Sequence, residues 1–189
     1  MYSHVLIVGG TGMLLGASKV LAARSRHLTS IARTEDSLQR LDAEIARAEC
    51  VHHMHALDWS QPATFVRAIA DRVREVGDPE LVLAWLHDDR VGPLLANAIA
   101  PARGHCDFYQ IRGSAAANPA ANIESPPFAQ SVPGNIDFHQ IVLGFRIEGG
   151  GSRWLHDDEI SAGVLAAMEG GKVVAVVGTV EPWSRRPNG

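Results

Sequence analysis

The feature that most limits what this chain can fold into lies at its start: the apolar run Val5-Leu6-Ile7-Val8 closes on Gly9-Gly10-Thr11-Gly12. A short run with no polar alternation reads as a strand buried on both faces of a parallel sheet. Glycine lets the backbone turn sharply and lets an anion approach with no Cβ in the way. A helix is expected next, from about Met13 to Ala23, and its first N–H groups point at whatever sits over the turn. Strand, glycine turn and helix in that order make a seat for the pyrophosphate of a dinucleotide. The blander reading is a tight turn that holds no ligand.

The remaining sequence repeats the strand–helix rhythm. Strands are expected at His27 to Ala32, Cys50 to Leu57, Leu81 to Leu86, Cys106 to Arg112, Phe138 to Ile147 and Val173 to Val177. Thr34 is placed to cap a helix with Leu38, Leu41 and Ile45 on one face. Ser60 is expected to cap the next, with Pro62 in its first turn, Phe65, Ile69, Val73 and Val76 at helical spacing, and Gly77 at its end. A short helix spans Val91 to Ala100. A last helix, capped by Asp157 or Asp158, runs to Met168 and stops at Gly170-Gly171. Residues 113–137, with Pro119, Pro126, Pro127 and Pro133, read as one long irregular loop, and 181–189 as a tail. Alternating strands and helices imply right-handed crossovers. The expected architecture is an α/β, three-layer Rossmann fold: about seven mostly parallel strands in the order 3-2-1-4-5-6-7, helices on both faces. Residues 1–189 then form one dinucleotide-binding domain, with its ligand at the reversal between strands 1 and 4.

Composition narrows the function classes. The 46% hydrophobic and 20% charged residues are those of an ordinary globular chain. With a net charge of -4 and no basic stripe, nucleic acid is not an expected partner. No apolar run is long enough to span a bilayer, and the opening Met1-Tyr2-Ser3-His4 makes a poor signal peptide. Cys50 and Cys106 form no CxxC pair, so neither a disulfide framework nor a zinc knuckle is suggested, and a reduced cytoplasm is expected.

Cofactor contacts are expected from Gly9, Gly10, Thr11, Gly12, Met13 and Leu14 around the turn, and from the strand ends beyond it. The second strand ends in Arg33, 23 positions after Gly10, where an NAD site usually carries a carboxylate for the ribose 2′-hydroxyl. The arginine fork suits a 2′-phosphate, so NADP(H) is preferred over NAD(H); a solvated surface arginine is the alternative. Asp58 could accept from the adenine amino group with Trp59 packed nearby, or simply cap a helix. Trp85, ending the fourth strand, completes the cofactor set. The glycine pattern departs at one place: Leu15 stands where a third glycine packs helix on strand, and Gly16 is the nearest substitute.

Val8-Gly9-Gly10-Thr11-Gly12, Ala32-Arg33 and Leu57-Asp58 resemble the short-chain dehydrogenase/reductase superfamily, in an atypical, shortened form, over a layout of roughly residues 3–112. Ile141-Val142-Leu143-Gly144-Phe145 and Ser152-Arg153-Trp154-Leu155 are similar to small bacterial proteins loosely grouped with it. The resemblance implies an NADP(H)-dependent oxidoreductase. It also implies a catalytic Tyr with a Lys four positions later, and this chain lacks that pair. Its tyrosines are Tyr2 and Tyr109, with Leu6 and Gly113 four positions on, and its lysines are Lys19 and Lys172. The family's Asn-Ala-Gly at the end of strand four is here Ala84-Trp85-Leu86-His87.

Another proton source would have to serve. The strand ends offer His87, Tyr109 with Arg112, and His139, each of which has a structural reading as cap, pair or packing residue. His52-His53-x-His55 invites a metal, yet no carboxylate or cysteine pattern completes a tetrahedral set, and none is expected there. His87-Asp88-Asp89 and His156-Asp157-Asp158 both precede helices, where capping explains the aspartates. Trp154 suits a subunit interface or a substrate contact, and a homodimer or homotetramer through the last helix and strand is expected. Three functions follow: a reductase of a small carbonyl or imine compound, a non-catalytic NADP(H)-binding sensor or partner subunit, and a non-redox enzyme such as a cyclase or isomerase.

Overall fold

β1 (Tyr2–Val8) sits mid-sheet, and its apolar run feeds two cores at once. Successive side chains of a strand point to opposite faces. Leu6 and Val8 join Phe65, Ile69 and Leu95 on one side; Val5 and Ile7 join Leu14, Leu21 and Leu41 on the other. Each such side chain, fully buried, contributes roughly 1.5–3 kcal/mol, which is why the strand between the two helical layers has no polar residue from Val5 to Val8. The structure, a computed structural model, describes residues 1–113 and 131–187.

The elements alternate as expected: α1 (Leu15–Ala23), β2 (Ser25–Ala32), α2 (Glu35–Ile45), β3 (Val51–Ala56), α3 (Pro62–Val76), β4 (Leu81–Trp85), α4 (Val91–Ala98), β5 (Cys106–Gly113) and β6 (Ile136–Leu143). After a hairpin of β7 (Phe145–Glu148) and β8 (Gly151–Trp154) come α5 (Asp157–Gly170) and β9 (Val174–Val177). The main sheet has seven parallel strands in the order β3-β2-β1-β4-β5-β6-β9. The order reverses between β1 and β4, as the sequence predicts. α3 and α4 cover one face; α1, α2 and α5 cover the other. No helix among the described residues is long and apolar enough to cross a membrane.

Four local expectations need correction. The stretch Phe138 to Ile147 is not one strand. The chain leaves the main sheet at Gly144, where a Cβ would collide with the Thr179 backbone, and Phe145 then pairs with Thr179. The hairpin that follows turns through Gly149 and Gly150, at φ +57° and +85°, values that suit glycine in a two-residue turn. The irregular stretch is also shorter than 113–137: Gly113 ends β5, Ile136 begins β6, and residues 114–130 lie outside those described. α3 is capped by Gln61 rather than Ser60, since Pro62 fixes the first helical φ and Ser60 donates its hydroxyl to Asp58. α5 is capped by His156, whose N–H donates to Glu159 at 2.9 Å; Asp157 and Asp158 fall in the first turn, facing the positive end of the helix dipole. Thr34 caps α2 as expected, accepting from the Ser37 N–H.

Candidate functional site

A cleft of about 380 Å³ opens at the β1/β4 reversal, beyond the carboxyl ends of the strands. Its floor is the glycine turn, and each glycine there has a different job. Gly9 takes φ +76° and donates its N–H to Ile31; a Cβ on it would stand 3.1 Å from Trp85. Gly10 is closed in: a Cβ would overlap Ser18 and Ile7, and the Ser18 hydroxyl donates to the Gly10 carbonyl at 2.9 Å. Gly12 is the reverse, with nothing within 4 Å of a Cβ, and it lines the cleft with Gly9 and Thr11. Gly16 packs α1 on α5, where a Cβ would press on Ser161. Met13 and Leu14 do not present side chains to the cleft. Leu14 is fully buried in the core, Met13 packs against the same core, and the Met13 carbonyl accepts from Ser161.

The far end of the cleft is cationic. Arg33, Thr34, Ser37 and Arg40 line it, the last three on the first turns of α2 or at its cap. Neither arginine makes an ion pair among the described residues. Arg33 lies over the Trp59 ring, 5.1 Å from its centroid. Trp59 in turn meets His87 at 4.8 Å, and His87 meets Trp85 edge-on at 5.9 Å. A cation and three rings thus run across the cleft mouth. A smaller recess of about 130 Å³, lined by Pro62, Phe65, Leu86 and Val91, lies against the same Trp59 and His87. The Trp85 indole spans from Gly9 to Gly113, where a Cβ would come within 2.9 Å of its Cη2, so it covers the ends of β1 and β5.

Of the expected site residues, Asp58 is turned onto Ser60 in the turn before α3. Its carboxylate accepts from the Ser60 N–H and hydroxyl at 3.0 and 2.8 Å, which holds its pKa below the usual range, and it does not line the cleft. Tyr109 and His139 are also elsewhere. The Tyr109 hydroxyl donates to the Met168 carbonyl at 3.3 Å, and burial, with Asp107 next in effect, pushes its pKa up to about 12. His139 stacks on Tyr109 at 4.5 Å, with Nδ1 2.9 Å from the Lys172 carbonyl. Both belong to the layer under α5, because odd positions of β5 and β6 face that side. Arg112 is held by Asp89 at 2.7 Å. His87 is therefore the one proposed proton donor that reaches the cleft. The histidine run of β3 divides by alternation: His52 bonds Asp42 and Ser30, while His53 stacks on His27. Trp154 meets Phe145 edge-on at 6.5 Å.

Sequence reading missed Thr34, Ser37 and Arg40. Their spacing carried a signal: positions three apart on the first turns of a helix leaving β2 share one face, and that face looks onto the cleft.

No protein-family model and no curated protein matches the sequence. Solved structures do match the fold. A short-chain dehydrogenase from Oenococcus oeni superposes with a TM-score of 0.71 at 13% identity, covering 97% of each chain. The bulky-bulky ketone specific alcohol dehydrogenase from Comamonas testosteroni gives 0.70 at 14%, covering 96% of this chain and 89% of its own. A short-chain dehydrogenase from Sphingobium yanoikuyae, solved in complex with NADPH, gives 0.68 at 14%, with 96% and 91% covered. The fold is that of the short-chain dehydrogenases/reductases.

Proposed function

We propose that this chain binds NADP(H) in the cleft between β1 and β4 and acts as a reductase of a small carbonyl or imine compound. One observation carries the reading: a single cleft joins an open glycine turn to a cationic end with two arginines and two hydroxyls. The amides of the turn and of the first turn of α1 would hold the diphosphate. Arg33 and Arg40, with Thr34, Ser37 and the amino end of α2, would hold the 2′-phosphate. The Trp59 ring offers adenine a flat surface, and Trp85 bounds the space beside the turn. The bound nicotinamide would supply the hydride. His87 is the proposed proton source, as the titratable ring on the cleft. The NADPH complex of the Sphingobium yanoikuyae neighbour supports the cofactor class.

The second reading is a non-catalytic NADP(H)-binding sensor or partner subunit. It is favoured by Tyr109 and His139 being engaged away from the cleft, in a chain that also lacks the Tyr/Lys pair. Nicotinamide fluorescence titrations separate the possibilities. Binding of NADPH with turnover on a panel of aldehydes, ketones or imines supports the reductase. Tight binding with no turnover on any of them selects the sensor. No binding of either nucleotide removes both.

We further propose that residues 1–189 act as one cytoplasmic dinucleotide-binding unit, paired into a homodimer or homotetramer through α5 and β9. Exposed Val173 and Val176 at that sheet edge support the pairing. Light scattering on the wild type and Val176→Lys tests it: a monomeric wild type would end the idea.

A further inference from the structure

The opposite end of the sheet, at the amino ends of its strands, carries chemistry that the cleft does not use. The parallel register sets Asp107 beside Asp137, and Tyr109 beside His139, at the amino ends of β5 and β6. Alternation projects all four side chains from one face. Two neighbouring carboxylates repel unless a cation lies between them. His105, in the turn before β5, reaches over to Asp137 with Nε2 2.6 Å from the carboxylate. One donor atom from each of His105, Asp107 and Asp137 lies within 4.8 Å of the others.

A fourth group points at the same place independently. His139 is only 8% exposed, and its Nδ1 lies 2.9 Å from the Lys172 carbonyl. A carbonyl only accepts, so Nδ1 donates to it and Nε2 is the ring atom turned toward the carboxylates. Nε2 stands 3.9 Å from the Asp107 carboxylate, too far for a charge-assisted hydrogen bond. A buried ring fixed by a backbone carbonyl on one nitrogen, with the other aimed at a carboxylate, is how an imidazole is oriented around a metal.

We propose that His105, Asp107 and Asp137 bind one divalent transition-metal ion of the zinc class, with His139 Nε2 accepting a hydrogen bond from a water in the fourth position. One nitrogen and two carboxylate oxygens suit Zn²⁺ better than Mg²⁺ or Ca²⁺, which favour oxygen-only shells, and no thiolate is present to select Cu⁺. The ion would tie the turn after α4 to β6 across β5. Because it sits at the end of the sheet away from the cleft, its role is structural and stands apart from the proposed cofactor reading.

The test uses the full chain after chelator treatment. Zn²⁺ is titrated by calorimetry, Co²⁺ by its visible absorption, and both by melting temperature. The expected result is one ion per chain at micromolar concentration and a melting temperature higher by several degrees. Asp107→Asn and Asp137→Asn should abolish both effects. The metal-free Asp107→Asn form should melt no lower than the wild type, because a like-charge contact is relieved, whereas Asp137→Asn also gives up its pairing with His105. If either fails to fold, the exposed His105→Ala serves instead, with the same expected loss. His139→Phe, which keeps the ring stack on Tyr109, should weaken binding by about 10–100-fold. His27→Ala/His53→Ala should change nothing. No uptake at micromolar Zn²⁺, or an equal thermal shift in the wild type and Asp107→Asn, would overturn the proposal.

Discussion

The two halves of the sheet use their polar side chains in opposite ways. Beyond the ends of β1 to β4, Arg33 and Arg40 have no carboxylate partner among the described residues, Gly12 opens onto empty space, and His87 stands between two indoles. From β5 onward most of the charged and aromatic polar groups are already paired, the buried Gln110 Oε1 being an exception. Arg112 holds Asp89, Arg153 holds Glu148 and Glu159, Tyr109 bonds Met168, and His139 bonds Lys172. A group engaged in a hydrogen bond or ion pair must break it before it can bind a ligand, at a cost of about 1–3 kcal/mol for a buried one. The proposed nucleotide site therefore draws on the first half, and most of the fastening contacts lie in the second.

The largest effects should come from substitutions within the glycine turn itself. Gly10→Ala puts a methyl group against Ser18 and Ile7, and overpacking of this kind costs about 1–3 kcal/mol. Gly12→Ala meets nothing and should leave stability within about 0.5 kcal/mol of the wild type. In exchange it should weaken NADPH, because Gly12 lines the cleft. Denaturant midpoints and fluorescence titrations on both variants check this split. Equal stability losses would erase the distinction between packing glycine and ligand glycine.

Next are the two arginines. Arg33→Ala and Arg40→Ala should each weaken NADPH by about 1.5–3 kcal/mol, the value of a hydrogen bond to a charged group, and leave NADH nearly untouched. Equal weakening of both nucleotides would sink the 2′-phosphate assignment. Arg112→Met provides the reverse test from the second half. It strands the part-buried Asp89 and should cost about 1–3 kcal/mol of stability with no change in NADPH affinity. A large loss of affinity there would blur the boundary between the halves.

How much of this was legible in the residues follows the same boundary. The strand order, the reversal point and the glycine turn could be read because continuous apolar runs and glycines report local backbone needs. Arg33 was found because it ends a strand. Arg40 was not, because a lone arginine on a helix looks the same whether it faces water or a cleft. Tyr109 and His139 drew attention as chemistry-bearing types. Only the register of β5 with β6, set by pairing across the chain, turns them under α5. The break at Gly144 was hidden for a similar reason: the obstacle is the backbone of Thr179, 35 positions away in sequence.

Acid should loosen the two halves in different pH windows, and this is the subtlest effect. In the first half, burial lowers the pKa of His4, His53 and His55 below the usual 6.5. His4 is almost fully enclosed, bonded to the Gly77 carbonyl at 2.7 Å and to Thr29 at 2.8 Å. The unfolded chain then binds more protons than the folded one just below that value, so stability falls as pH drops through about 6.5. In the second half the sign is the same but the window lies lower. The Arg153 guanidinium, followed by the His156 N–H, holds the Glu159 carboxyl down at about 2. Its stabilisation is complete above the ordinary 4.5 and is lost only as pH falls from there toward 2. Hydrogen exchange followed from pH 7 downward should therefore show β1 to β3 losing protection first, while the amino end of α5 holds until the carboxylates titrate. His4→Gln, which removes the titrating ring, should flatten the upper window and leave the lower one in place. Simultaneous loss of protection in both regions would mean that the sheet opens as one unit, and the division between the halves would then hold for ligand chemistry and not for stability.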